Sequence, residues 1–175
     1  IDTETFTIAD GVSITLDMNG KKITVTENNK KETVLFSGDV GNVRRPLIRD
    51  PQTPPAADYI ILESTYGDRL HEERKSVIEP LAEYLQNTFD RGSNVVIPAF
   101  AVGRTQEMLY YLREIKNENM VKGHPDFPVI VDSPLADNST SVFLQCDKDF
   151  LDEESQYIMD LGVNPLVFPE LNTTQ

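Results

Sequence analysis

The stretch Asn94-Val-Val-Ile-Pro-Ala-Phe-Ala-Val-Gly-Arg-Thr-Gln-Glu107 decides the fold class of this chain. Asn94 to Ile97 reads as a short buried strand. From Arg104 to Lys116 the apolar residues Met108, Leu109, Leu112 and Ile115 fall at helical spacing and would face a sheet. Gly103 joins the two elements. The unpaired amides of the helix start, together with Arg104, are suited to holding a phosphate or carboxylate. The competing reading is a strand-to-helix turn whose arginine pairs with an acidic neighbour. A nucleotide-hydrolase phosphate loop is excluded, because the glycine series and the Gly-Lys-Ser/Thr ending are missing.

The same alternation extends outward. Upstream, Val77, Ile78, Leu81, Leu85 and Phe89 form a helical apolar stripe. Pro80 would clash with the Ser76 carbonyl in one uninterrupted helix. A short first turn is therefore expected, then a main helix opening near Glu79 with Pro80 at its first position and a stop at Asp90-Arg-Gly-Ser93. Downstream, Pro128 to Val131 reads as a strand, and Pro134 to Gln145 as a helix capped by Ser133. This α/β order from Glu72 onward predicts a largely parallel sheet with helical crossovers.

The residues before it have a different character. Gly11-Val-Ser-Ile-Thr-Leu-Asp-Met18, then Asn19-Gly20, then Lys21-Lys-Ile-Thr-Val-Thr26 is a hairpin signature. Val12, Ile14, Leu16 and Met18 are expected on the buried face, opposite Ile23 and Val25. Glu27 to Lys31 reads as a polar turn before a strand from Thr33 to Phe36. A loop containing Pro46, Pro51, Pro54 and Pro55 leads to an apolar strand, Asp58 to Leu62. The change of pattern places a domain boundary near Gly67 to Glu72, dividing the chain into residues 1–70 and 71–175.

With 175 residues and 39% hydrophobic content, the chain is long enough to bury a core. No apolar run is long enough to cross a bilayer, and the first ten residues lack the pattern of a signal peptide. No membrane association and a cytoplasmic location are expected. The single cysteine, Cys146, excludes an intramolecular disulfide and a thiolate zinc cluster. A net charge of −13 argues against broad electrostatic binding of a nucleic-acid backbone. Bound divalent cations would invert the field locally, so phosphodiester chemistry at a metal centre stays open.

Three strands run into acidic segments: Phe36 into Ser37-Gly38-Asp39, Leu62 into Glu63-Ser64-Thr65, and Val131 into Asp132-Ser133. Carboxylates at strand ends can converge in a crevice and suit zinc, manganese or magnesium. From spacing alone Asp39 and Glu63 are either ligands or turn-forming carboxylates, and Asp132 either a site residue or a helix-start charge. The two histidines, His71 and His124, have no ligand-pair spacing. His71 either faces a site or lies on the surface; His124 reads as a loop residue. Neither a serine nor a cysteine nucleophile has the required surroundings.

Taken together, Phe36-Ser-Gly-Asp-Val-Gly41, Leu62-Glu-Ser-Thr-Tyr-Gly-Asp68 with His71, Ile97 to Glu107, and Val131-Asp-Ser-Pro-Leu-Ala136 resemble the β-CASP group of the metallo-β-lactamase superfamily. The order and spacing of these blocks, over roughly Thr33 to Phe143, carry the resemblance. It implies a partial metallo-β-lactamase αββα-type domain (1–70) followed by an inserted β-CASP α/β domain (71–175). It also implies a zinc-dependent hydrolase that cleaves RNA phosphodiester bonds through a metal-bound hydroxide. By resemblance, Asp39 is the carboxylate bridging two zinc ions, and Glu63 supports a histidine arriving from later in the domain. Asp132 is the first acidic signature residue of the inserted domain. Glu63 and Asp132 thus stand as catalytic candidates, and His71 and Arg104 as substrate-facing groups or interface braces.

The family's His-x-His-x-Asp-His block is not found before Asp39, nor are its later signature histidines found. The resemblance therefore implies a piece of a longer enzyme, inactive alone, whose partners are RNA and the missing segments of the same polypeptide. Homo-oligomerisation is left open. The alternatives are a noncatalytic scaffold of an RNA-processing complex, and a superfamily hydrolase acting on DNA or a small ester.

Overall fold

The computed structural model describes residues 12–17, 22–27, 30–70 and 76–174. The chain divides into two compact units, Ile1–Val43 with Pro51–Glu72, and Arg44–Asp50 with Glu73–Gln175. The loop segment Arg44–Asp50 thus belongs to the second unit although both its flanks belong to the first.

The first unit holds a four-stranded sheet in the order β1 (Val12–Asp17), β2 (Lys22–Glu27), β3 (Lys30–Phe36), β4 (Tyr59–Ile61). β1, β2 and β3 are successive antiparallel neighbours, and their register pairs Ile14 with Val25 and Leu16 with Ile23, as the alternation predicts. The expected Asn19-Gly20 turn lies outside the described residues. β3 begins at Lys30, earlier than expected, because Glu27 pairs with Lys30 and the ladder absorbs most of the presumed polar turn. β4 joins β3 in parallel, Val34 opposite Tyr59 and Phe36 opposite Ile61. Asp58 fixes the entry to β4: its Oδ2 accepts from the Thr33 N–H at 2.8 Å and from the Thr33 hydroxyl at 2.9 Å. Leu35 is buried, whereas Tyr59, Ile60, Ile61 and Leu62 are exposed.

The second unit contains α1 (Ile78–Phe89), α2 (Arg104–Asn117), β5 (Val129–Val131), α3 (Pro134–Gln145), a 3-10 turn (Lys148–Phe150), α4 (Glu153–Asp160) and β6 (Leu171–Thr173). Its core gathers Leu85 from α1, Leu109, Leu112 and Ile115 from α2, and Val121, Leu151, Leu166 and Phe168 from the connections. Leu47 enters this core although its φ is +77°. Asp152 holds the segment there, Oδ2 accepting from the Leu47 N–H at 2.9 Å while Oδ1 caps α4 through the Ser155 N–H at 2.8 Å.

Three expectations need correction. α1 opens at Ile78, so Pro80 is its third residue. The first-turn N–H groups of a helix have no partner within it, so proline is tolerated there as well as at the first position. The expected strand at Asn94–Ile97 does not form; these residues make no ladder, and Val96 is exposed. Val95 nevertheless packs against the core, which accounts for the apolar pattern. The largely parallel sheet is, in this unit, a two-stranded ribbon: β5 pairs in parallel with β6, Val129 opposite Leu171 and Val131 opposite Thr173.

Other boundaries follow the sequence. α1 ends with Gly92 at φ +67°, where the Gly92 N–H reaches the Phe89 carbonyl and the Ser93 N–H the Thr88 carbonyl. This pattern satisfies carbonyls left over at the helix end. α3 starts at Pro134, and the Ser133 hydroxyl accepts from the Ala136 N–H at 3.2 Å.

Candidate functional site

In the first unit the exits of β3 and β4 lie side by side because the strands are parallel and in register at Phe36 and Ile61. The Ser37 N–H continues the ladder to the Ile61 carbonyl at 2.9 Å. The Ser37 hydroxyl then accepts from the Glu63 N–H at 3.0 Å and donates to the Gly38 carbonyl at 2.6 Å. Gly38 turns the chain with φ +57°, a conformation that a side chain would strain. The Glu63 carboxylate closes the loop from the other side. Its Oε1 accepts from the Val40 N–H at 2.8 Å and its Oε2 from the Thr65 hydroxyl at 3.0 Å. The Val40 N–H chiefly, and then the Thr65 hydroxyl, hold this carboxyl below the ordinary glutamate value, against a smaller upward push from partial burial.

Asp39 sits on this loop between Gly38 and Val40, exposed. Glu63 therefore contacts the residue next to Asp39, placing two carboxylates at adjacent carboxyl ends of parallel strands. The carboxyl ends of parallel strands are where open α/β sheets bind ligands.

The second unit repeats the pattern. Asp132 follows β5 and is exposed; Oδ1 accepts from the hydroxyl of Thr174, the residue after β6, at 2.8 Å. The Thr174 N–H continues the ladder to the Val131 carbonyl at 3.1 Å. Each unit thus ends a parallel strand pair in a carboxylate tied across to the neighbouring strand's exit, Glu63 to the Val40 N–H and Asp132 to the Thr174 hydroxyl.

The helix start at Arg104 differs from expectation. Its amides are already engaged: Arg104 N–H reaches the Val102 carbonyl at 3.1 Å and Thr105 N–H the Phe100 carbonyl at 3.2 Å. The predicted cradle of unpaired amides therefore does not exist at those two positions. Arg104 pairs with Glu107, Nη1 to Oε2 at 2.6 Å. His71 lies outside the described residues. His124 meets Asp90 at 3.0 Å and packs edge-on against Phe89, as a loop residue would.

Sequence reasoning missed Gln106, which is fully buried. Its Oε1 accepts from the Gly103 N–H at 2.7 Å, and its Nε2 donates to the Thr140 hydroxyl at 2.9 Å and the Ala136 carbonyl at 3.3 Å. The amide thereby joins the start of α2 to the first turns of α3. Ser37, Thr65 and Thr174 were also missed. Only Ser37 carried a signal, a hydroxyl at a strand end before glycine.

Among the described residues, no group of three or more His, Cys, Asp or Glu side chains is placed to hold a metal ion. Asp39 offers a single carboxylate. The described residues therefore do not by themselves fit a zinc pair, which needs several protein ligands at each ion.

Residues 105–175 match the family model described as Beta-Casp domain. The chain is 35% identical over 143 residues to a ribonuclease of Thermus thermophilus, an alignment covering 81% of this chain and 31% of the relative. It is 30% identical to an endoribonuclease of Kluyveromyces lactis, over 79% of this chain and 18% of the relative. It is 29% identical to an RNase J-like protein of Methanocaldococcus jannaschii, over 90% of this chain and 34% of the relative. The chain belongs to the β-CASP family. It spans at most about a third of the length of these relatives.

Proposed function

We propose that the chain is part of a metal-dependent hydrolase that cleaves RNA phosphodiester bonds, with residues 1–70 contributing to a metallo-β-lactamase domain and residues 71–175 to the β-CASP domain. The observation that carries this reading is the hydrogen bond from the Val40 N–H to Glu63, which fixes the loop bearing Asp39 beside a second carboxylate. The names of the relatives, ribonuclease and endoribonuclease, supply the substrate class.

In this reading Asp39 is one ligand of a two-zinc centre whose other ligands come from outside the described residues. Glu63 has two roles within reach of its geometry: it holds the Asp39 loop, and it presents an ionised carboxylate to a histidine from elsewhere in the polypeptide. Asp132, held by Thr174, is the acidic group of the β-CASP unit. His71 is a substrate-facing candidate on sequence grounds alone. The protein works in the cytoplasm, on RNA and with the remaining segments of its own polypeptide.

The test is Asp39→Ala in the longer polypeptide, reading zinc stoichiometry and RNA hydrolysis together. Both are expected to fall. Unchanged zinc content with full activity would sink the ligand assignment. The 175-residue chain by itself is expected to show no appreciable metal-dependent nuclease activity, since one carboxylate holds a hydrated cation weakly.

A further inference from the structure

Two arginines converge on one carboxylate in the second unit. Arg104, the first residue of α2, places Nη1 2.6 Å from Glu107 Oε2, and Arg45, from the inserted Arg44–Asp50 segment, places Nη1 3.7 Å from the same oxygen. The other oxygen, Oε1, accepts from the Tyr111 hydroxyl at 3.1 Å. The Glu107 side chain is only 6% exposed, against 37% for Arg45 and 45% for Arg104.

Arg104 alone supplies the charge that a buried carboxylate needs, at hydrogen-bond distance. Arg45 is surplus for that purpose. It forms an ion pair but no hydrogen bond among the described residues, and the Arg104 guanidinium makes one. Among the described residues neither fork makes a further hydrogen bond. Among the described residues, the two guanidiniums and the one carboxylate sum to a single positive charge at a half-exposed spot of a chain whose net charge is −13. A phosphodiester carries the one negative charge that balances it, and its oxygens match the planar guanidinium fork. The helix end contributes little, because the Arg104 and Thr105 amides are occupied by the Val102 and Phe100 carbonyls.

We propose that Arg45 and Arg104 form a two-pronged seat for one backbone phosphate of single-stranded RNA, with Glu107 as the positioning residue that sets the spacing of the two guanidiniums. This rests on the RNA-cleaving reading above and adds to it Arg45, Glu107 and the chemical group recognised.

The experiment compares the complete polypeptide with its Arg45→Gln and Arg45→Lys variants. Each is titrated with a hydrolysis-resistant phosphorothioate RNA oligonucleotide across a range of salt concentrations, following fluorescence anisotropy. Arg45→Gln is expected to weaken binding about ten-fold at low salt and to lower the slope of log affinity against log salt by about 0.7, the value of one lost single-strand phosphate contact. Arg45→Lys keeps the charge and is expected to restore the slope while recovering only part of the affinity. An unchanged slope in Arg45→Gln, whether or not affinity or stability falls, would show that Arg45 only braces Glu107 and would overturn the proposal. Absence of RNA binding and cleavage by the unmodified polypeptide is a different result, which overturns the reading on which the proposal rests.

Discussion

The backbone N–H of Val40 donates to Glu63 Oε1 at 2.8 Å, across the exits of two parallel strands 23 residues apart in the chain. This bond, with that of the Thr65 hydroxyl, lowers the Glu63 carboxyl below its ordinary value of 4.5. The sign follows directly: a depressed folded-state value means that the group's contribution is fully present above about pH 4.5 and is lost as pH falls through the folded value. The Val40 amide resonance is therefore expected to titrate with a midpoint below the ordinary glutamate value, and Glu63→Gln to abolish that titration. A Val40 shift with an ordinary midpoint would separate the loop from the carboxylate.

A second prediction concerns the inserted segment. Leu47 is 2% exposed and packed in the core of the second unit. Leu47→Ala is expected to cost about 2 to 5 kcal/mol, from lost burial and the space left behind. Asp152→Ala removes the α4 cap and strands the Leu47 N–H, for about 1 to 3 kcal/mol. Because both act on the same anchor, the double variant is expected to lose less than the sum in urea titrations. Strict additivity would mean that Asp152 acts on α4 alone.

Much of this architecture is legible in the sequence because it is local. The Ile14 to Val25 and Leu16 to Ile23 pairings follow from alternation, and the start of α3 follows from Ser133 beside Pro134. What cannot be read is which distant group satisfies a given polar atom. Asn94 to Ile97 has the composition of a strand, but none of the described strands pairs with it. Asp39 and Glu63 stand out as strand-end carboxylates, yet only the parallel register of β3 and β4 makes them neighbours. Arg45 lies in a proline-rich loop with nothing in its surroundings to link it to Glu107, 62 positions later.

Gln106 gives a third prediction. Its amide satisfies the Gly103 N–H, the Ala136 carbonyl and the Thr140 hydroxyl from a fully buried position. Gln106→Met keeps the approximate volume and removes the hydrogen bonds, so packing is nearly constant while partners are left unsatisfied. The expected loss is about 2 to 4 kcal/mol in chemical denaturation. A loss below about 0.5 kcal/mol would mean that water replaces the amide.

The last prediction isolates a backbone term. Gly103 has φ +82° and ψ −65°, and the Arg104 N–H reaches back to the Val102 carbonyl at 3.1 Å, which together define a γ-turn of the rare, positive-φ kind. This turn swings the chain from the extended segment into α2 and sets the position of Arg104 and Gln106. A Cβ added at Gly103 would meet no atom within 4 Å, so nothing need move to admit a methyl group. The cost of Gly103→Ala is therefore conformational rather than steric, about 1 to 3 kcal/mol for a side chain held in a sparsely populated region. Part of the entropic gain from constraining the unfolded chain offsets it. Thermal denaturation should show the lower melting temperature. Hydrogen exchange should place the loss at the first turn of α2, where the Glu107 N–H bonds to the Gly103 carbonyl at 3.0 Å. If Gly103→Ala instead matched or exceeded the parent in stability, the turn would tolerate an ordinary φ, and the position of Arg104 would not depend on glycine.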